Sequence, residues 1–401
     1  MKRNAYTYSA IFCFFLFSSV MSPLRGESKK PYKSTNEAMV DIFNSFSILL
    51  PYAANQMKFN DPNSNDLIVG HLSKIHNSFK SAKHLKRMNR PGFNPTYNII
   101  VNHLDNTIKA FQNNNKPFAR VRLRATTQMC MSCHTQLSNK TPSKALKSFK
   151  MLSQKDFMNN FEYGNYLFLT HQYKDAANVF EKEIEFRIEN NRKLEQLHKS
   201  KTTHYLNSTV EKSLRRIITI YTKINYQPKK AIKLLKKYKS APYLSRPLKQ
   251  DIQDWLLSLK EWTKKKFNGK ITNEKKLTEF ITKYLAPLET NQSVDSSADI
   301  PLLIASGAMY KYLDKNSNSP QSGNILYWLS VVDKQFNFSS FFDLSEVYLK
   351  QCIINNQKTT IAKKCFNRLK ENITIGYSGS SGTHIPKEER QELARLMRYI
   401  D

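Results

Sequence analysis

Glycine and proline are scarce, at 10 and 15 in 401 residues. Alternating β-branched runs bounded by turn residues are scarce as well, which excludes barrels and sandwiches of many short strands. Acidic residues number 32 against 63 Lys and Arg, a formal net charge of +31. A charge of that size suits an acidic protein partner, an anionic membrane surface or nucleic acid. The basic residues are spread along the whole chain and carry no aromatic-plus-basic motif, so a lysine- and asparagine-rich bias accounts for them and no specific nucleic-acid partner is expected. Cysteine is also rare, 5 in all, so the place of each one is informative.

The chain opens on an apolar run, and no later stretch is long and apolar enough to span a bilayer. Lys2 and Arg3 precede a run from about Ala10 to Met21, followed by Ser22, Pro23, Arg25 and Glu27. Residues 1–26 therefore read as a secretory signal peptide. The run falls short of the ~20 apolar residues that a spanning helix needs. An uncleaved N-terminal anchor is the alternative, and no span is expected after cleavage. Phe12 precedes Cys13 where a lipoprotein signal wants a small residue, so lipidation is not expected. Export points to an oxidising compartment, the bacterial periplasm.

Four cysteines then remain. Cys130-Met131-Ser132-Cys133-His134 is the most specific string in the chain; residue frequencies alone give an expectation of about 0.0014 such strings. Two thiols three apart on a helix can both reach the vinyl groups of one porphyrin, and the next histidine is placed to bind its iron as proximal ligand. The cofactor expected is one covalent haem c, since no second such string exists. Cys352 and Cys365 are a disulfide candidate across a helix hairpin turning near Asn355 to Lys358, the alternative being two buried thiols.

The expected fold class is all-α. Residues 34–140 hold four helix-period segments: about Thr35 to Phe59, bent at Pro51; about Asn65 to Met88, ended by Pro91-Gly92; about Pro95 to Gln112; and one from near Pro117 through the haem-attachment string. Short connections favour an up-down-up-down four-helix bundle. Four helices with the attachment string near the end of the last resemble the cytochrome c-prime and c-556 family of c-type cytochromes, over about a quarter of the chain. Cys130, Cys133 and His134 carry the resemblance; the rest is pattern and order.

Antiparallel packing of the first and fourth helices puts Met39 at the haem end and Met57 at the opposite end. The resemblance implies that Met39 is a candidate distal iron ligand, because some members use a first-helix methionine while others leave the iron five-coordinate. Ordinary core filling is the other fate of Met39. His84 and Met88 approach the same end but fall off the inward phase of the second helix. Many five-coordinate members carry a basic residue one turn past the haem histidine, where this chain has Ser138. His71, His76 and His103 read as polar-face residues rather than ligands. Arg120, Arg122 and Arg124 read either as a solvated face or as a source of one propionate partner.

Residues 145–287 read as further amphipathic helices. Phe161 to Phe186 resembles a tetratricopeptide repeat through Gly164, Leu167, Tyr173, Ala176 and Phe180, without its terminal proline. A weaker copy surrounds Ala231 and Leu235. The polar stretch Leu288 to Ala298 reads as a linker, and residues 300–401 as C-terminal helix pairs with the candidate disulfide. The loop Gly376 to Gly382 lacks the Lys-Thr or Lys-Ser of a phosphate-binding loop, and His384 reads as a surface residue. Stacked helix pairs suit docking of protein segments.

These readings converge on an exported electron carrier rather than an enzyme: a mono-haem cytochrome whose helical array docks a periplasmic or membrane redox protein. The alternatives are a haem-based sensor of nitric oxide or carbon monoxide, and a docking scaffold in which the haem is structural.

Overall fold

Ser34 opens the first helix: its hydroxyl accepts from the Glu37 amide, satisfying a donor that the helix start leaves unpaired. The computed structural model describes residues 31–401 apart from 87, 92, 135–151, 199–206, 266, 291–295 and 337–342. The expected signal segment and Ser138 lie outside the described residues. Tyr32–Asp401 forms one compact unit, and it is all-helical apart from a two-residue hairpin, Ser378–Gly379 with Gly382–Thr383.

The first helices are α1 (Thr35–Ala54), the short α2 (Gln56–Asn60), α3 (Asn65–Ser81), α4 (Asn94–Gln112) and α5 (Lys116–His134). The single first helix expected through Phe59 is instead two. Pro51 lacks the amide that would pair one turn back, and the chain leaves helical geometry at Asn55, whose side chain caps α2. The second helix stops at Ser81, seven residues before the expected end. Residues 82–93 form turns in which the Asn89 side-chain amide donates to the Lys83 carbonyl. α1 packs on α3, α3 on α4, α4 on α5 and α5 back on α1. Arg120, near the start of α5, donates to the Ala53 carbonyl near the end of α1, so those two helices run antiparallel.

α5 also packs on α6 (Asn160–Leu169), which pairs with α7 (Tyr173–His198). Gly164 makes that pair close: a Cβ there would stand 2.6 Å from the Phe180 ring. Leu167, Tyr173, Ala176 and Phe180 are all buried in the same seam. α8 (Asn207–Thr219) follows and runs on as a π-helix over Ile220–Ile224. Then come α9 (Pro228–Tyr238), α10 (Arg246–Lys264), α11 (Glu274–Phe280), a second π-helix (Ile281–Leu285) and α12 (Ala286–Thr290).

The stretch read as a linker is in part a packed element. Leu288 packs against the core, and the Ser296 hydroxyl donates to Asp251 of α10 at 2.5 Å. Glu289 and Ser296 anchor the described parts of this stretch to neighbouring helices, which composition alone does not reveal.

α13 (Asp299–Lys315) is the centre of this part. Every residue from Asp299 to Tyr310 is buried, as expected of a helix apolar on nearly all sides. α14 (Ser322–Phe336) packs on it, α15 (Leu344–Asn355) on α14, α16 (Thr360–Gly376) on α15, and α17 (Lys387–Met397) closes the end. α15 returns to touch α4, so the last helices rest against the first. Cys352 and Cys365 stand at disulfide distance, with sulfurs 2.03 Å apart and Cα atoms 6.3 Å apart. Among the described residues, no helix is long and apolar enough to cross a membrane.

Candidate functional site

Cys130-Met131-Ser132-Cys133-His134 falls on the last described turns of α5. Cys130 and Cys133 are separated by three residues of one helix, close to a full turn of 3.6, so both rise from neighbouring positions on one side. Met129 beside them is 1% exposed and belongs to the core, whereas Cys130 is half-buried and packs against the core from its edge. The side chains of Cys133 and His134 lie outside the described residues.

The antiparallel course of α1 and α5 places the start of α1 at the same end. Met39 is there, half-buried and packed against the core. Met57 is at the other end and 84% exposed, which removes it from consideration. Met88 departs from expectation. Because α3 ends at Ser81, Met88 sits in the turns of residues 82–93, and a helical phase does not apply to it; it is 6% exposed and part of the core. His84 is exposed and its Nε2 meets the Tyr32 carbonyl at 2.8 Å.

Two buried polar atoms at this end have no hydrogen-bond partner among the described residues. Thr96, in the first turn of α4, is 1% exposed, and its hydroxyl has no hydrogen-bond partner. The Nε of Arg90, just before α4, is also buried without a partner, while its Nη1 pairs with Asp314 of α13 at 2.6 Å. Buried polar atoms without partners are costly and uncommon in folded proteins. Paired thiols on one helical turn, a half-buried Cys130 and orphaned polar groups near a helix end fit a haem attached at that end.

His103, Arg120 and Arg122 are bound to other groups of the fold. His103 is 3% exposed, not a polar-face residue: its Nε2–H donates to the Arg122 carbonyl at 2.8 Å, while an Arg122 guanidinium N–H donates to Nδ1 at 3.1 Å. That arrangement needs the neutral ring, and burial pushes its pKa down to about 4. His76 is buried as well, its pKa lowered first by burial and then by Lys80. Arg122 is thereby a core residue, and Arg120 donates to the Ala53 and Ala54 carbonyls. Only Arg124 remains on an exposed face, 3.9 Å from Glu162 of α6.

Sequence reasoning missed a group of charges deep in the array. Asp299, 1% exposed, accepts from Arg215 at 3.0 Å, the Trp255 indole at 2.9 Å and Gln335 at 2.9 Å. Arg216 and Lys223 lie in α8 and its π-helix extension, and neither forms an ion pair with a described carboxylate. A basic residue in a helix carries no sequence signal for depth, so periodicity alone could not separate these two from surface lysines.

No family model, curated protein or solved structure matches the chain.

Proposed function

We propose that this protein is an exported mono-haem c-type cytochrome that transfers electrons. The observation that carries the reading is Cys130-Met131-Ser132-Cys133-His134 on the last described turns of α5. Cys130 and Cys133 would hold the haem through thioethers, and His134 would bind the iron. Met39 is the candidate distal ligand because it shares that end of the helices and is not sealed in the core. Bound there, the haem supplies a reversible ferric–ferrous couple. The four mutually packed helices α1, α3, α4 and α5 serve, in this reading, as a four-helix bundle that presents the haem at one end.

The helices from α6 onward we read as tetratricopeptide-like pairs that dock a periplasmic or membrane redox partner. The close seam of Gly164 against Phe180 supports this for the first pair. The Cys352–Cys365 pair supports an oxidising compartment, since disulfides persist there.

Mass spectrometry and visible spectra of the full chain, matured in a host competent for haem attachment, test the proposal. The expected result is the added mass of one haem and a reversible redox spectrum; Cys130→Ser combined with Cys133→Ser removes both. No added mass on the wild-type chain overturns the reading. Haem present with a high-spin spectrum that changes on adding carbon monoxide replaces electron transfer with gas binding.

A further inference from the structure

Two cations in the helical array, Arg216 and Lys223, form no ion pair among the described residues. They are seven residues apart on α8 and its π-helix continuation. Both are half-buried, as groups lining an inner face are. The Arg216 guanidinium lies 5.8 Å from the centre of the Phe168 ring, and the Lys223 ammonium 5.2 Å from that of Tyr310. Burial pushes the Arg216 pKa down to about 10 and that of Lys223 down to about 8, with Asp333 opposing the second shift. Adjacent Arg215, by contrast, meets Glu211, Asp251 and Asp299. Arg216 has no carboxylate against it among the described residues, and Lys223 has only Asp333, beyond ion-pair distance; a charge held away from water without a close partner is costly, so an anion that arrives from elsewhere would relieve it.

The fold indicates where that anion comes from. Tyr310, under Lys223, is one helical turn from Asp314 on α13, and Asp314 holds Arg90 at the end of the helices where α5 carries the attachment string. Phe168, under Arg216, belongs to α6, the helix that packs on α5. The inner face of the array therefore adjoins the haem end. Of the arginines of α5, Arg120 and Arg122 are already bound to carbonyls and to His103, and Arg124 stands against Glu162 of α6.

We propose that Arg216 and Lys223 receive the two propionate carboxylates of the haem held by Cys130 and Cys133, so that the array forms part of the haem pocket. This inference rests on the cytochrome reading above. A further structural sign agrees with a specialised role for the segment: Lys223 sits in a π-helix, a turn type that recurs at functional sites.

The test uses full-length, haem-loaded protein with Arg216→Gln, Lys223→Gln and the double substitution. Haem mass should be unchanged. A cation beside the propionates favours the ferrous, less positive haem, so each single variant should shift the reduction potential negative and the double variant further. Resonance Raman bands of propionate bending should move in the same variants. If glutamine variants do not mature, Arg216→Lys and Lys223→Arg keep the charge but change its geometry, and the same bands should still move. Bands and potential unchanged in haem-loaded variants overturn this proposal while leaving the cytochrome standing. A wild-type chain without haem overturns the cytochrome reading instead.

Discussion

Gly307 of α13 lies against the backbone of Lys223: a Cβ at position 307 would stand 2.3 Å from the Lys223 carbonyl oxygen. The π-helix Ile220–Ile224 and α13 touch there backbone to backbone. The Lys311 ammonium donates to the Ile224 carbonyl at 3.2 Å, one turn along α13 from Gly307. The atom in the way is backbone rather than a flexible side chain, so no rotamer change relieves the clash. We expect Gly307→Ala to destabilise by about 2–3 kcal/mol through overpacking. Thermal or urea denaturation measures it, and a midpoint equal to wild type would show that α13 can slide away at no cost. Gly70, whose added Cβ meets nothing within 4 Å, is the matched control.

Asp299 binds three donors from three other helices: Arg215 of α8, Trp255 of α10 and Gln335 of α14. Removing the carboxylate strands a buried indole N–H and takes from Arg215 a carboxylate more deeply buried than Glu211 or Asp251. Asp299→Ala should therefore cost about 3 kcal/mol or more. Asp299→Asn keeps an acceptor but loses the charge and should cost less. Chemical denaturation of both variants separates the two contributions, and equal losses would mean that the charge on Asp299 contributes nothing.

His103 gives the fold a pH dependence of definite sign. Its folded pKa of about 4 lies below the unfolded value of 6.5, so between those pH values the unfolded chain binds the extra proton. Stability is thus highest above pH 6.5 and falls as the pH drops towards 4. From those two values the loss at pH 5 is about 2 kcal/mol for this one ring. His71 and His76 are shifted in the same direction by burial and add to it. His103→Gln should flatten the urea midpoint between pH 7 and pH 5 relative to wild type; an unchanged slope would assign the dependence to other groups.

Much of this architecture was legible in the chain because apolar spacing reports helices directly. α4 begins and ends within a residue of its sequence-based bounds, and the seam of Gly164, Ala176 and Phe180 is a pattern of small and large residues that periodicity exposes. Helix ends were less legible. Neither the stop at Ser81 nor the break at Asn55 follows from hydrophobicity, because both depend on side chains that cap backbone groups. Burial of polar residues was the least legible: His103, Arg122 and Asp299 are inside only because partners from distant segments satisfy them. The Cys130-to-His134 string stands out in the sequence by its spacing alone, whereas the burial of Thr96 and Met88 emerges only from the fold.

The Cys352–Cys365 pair closes a short loop of 13 residues between α15 and α16. A cross-link over a loop of that length stabilises by about 3 kcal/mol, mainly by restricting the unfolded chain. Reductant, or Cys352→Ala with Cys365→Ala, should lower the denaturation midpoint accordingly. Because the pair joins the last helices and not α5, haem mass should be unaffected. Loss of haem on removing the pair would show that those helices govern assembly of the attachment end.

Met39 and Met88 make opposite forecasts for the iron. Met39 is half-buried near the start of α1, with its side chain not sealed in the core, whereas Met88 is packed inside it. A thioether that fills the core contributes packing and cannot leave without a cavity, while one at the edge can turn towards a ligand site. With Met39 as distal ligand, Met39→Ala should convert a low-spin spectrum to a high-spin one with little change in stability. Met88→Ala should keep the spectrum and lower stability by about 2–4 kcal/mol. Visible absorption and urea denaturation of the two variants decide between them. A spectrum that changes only in Met88→Ala would move the sixth ligand to the turns before α4, and one that changes in neither would leave the iron without a methionine ligand.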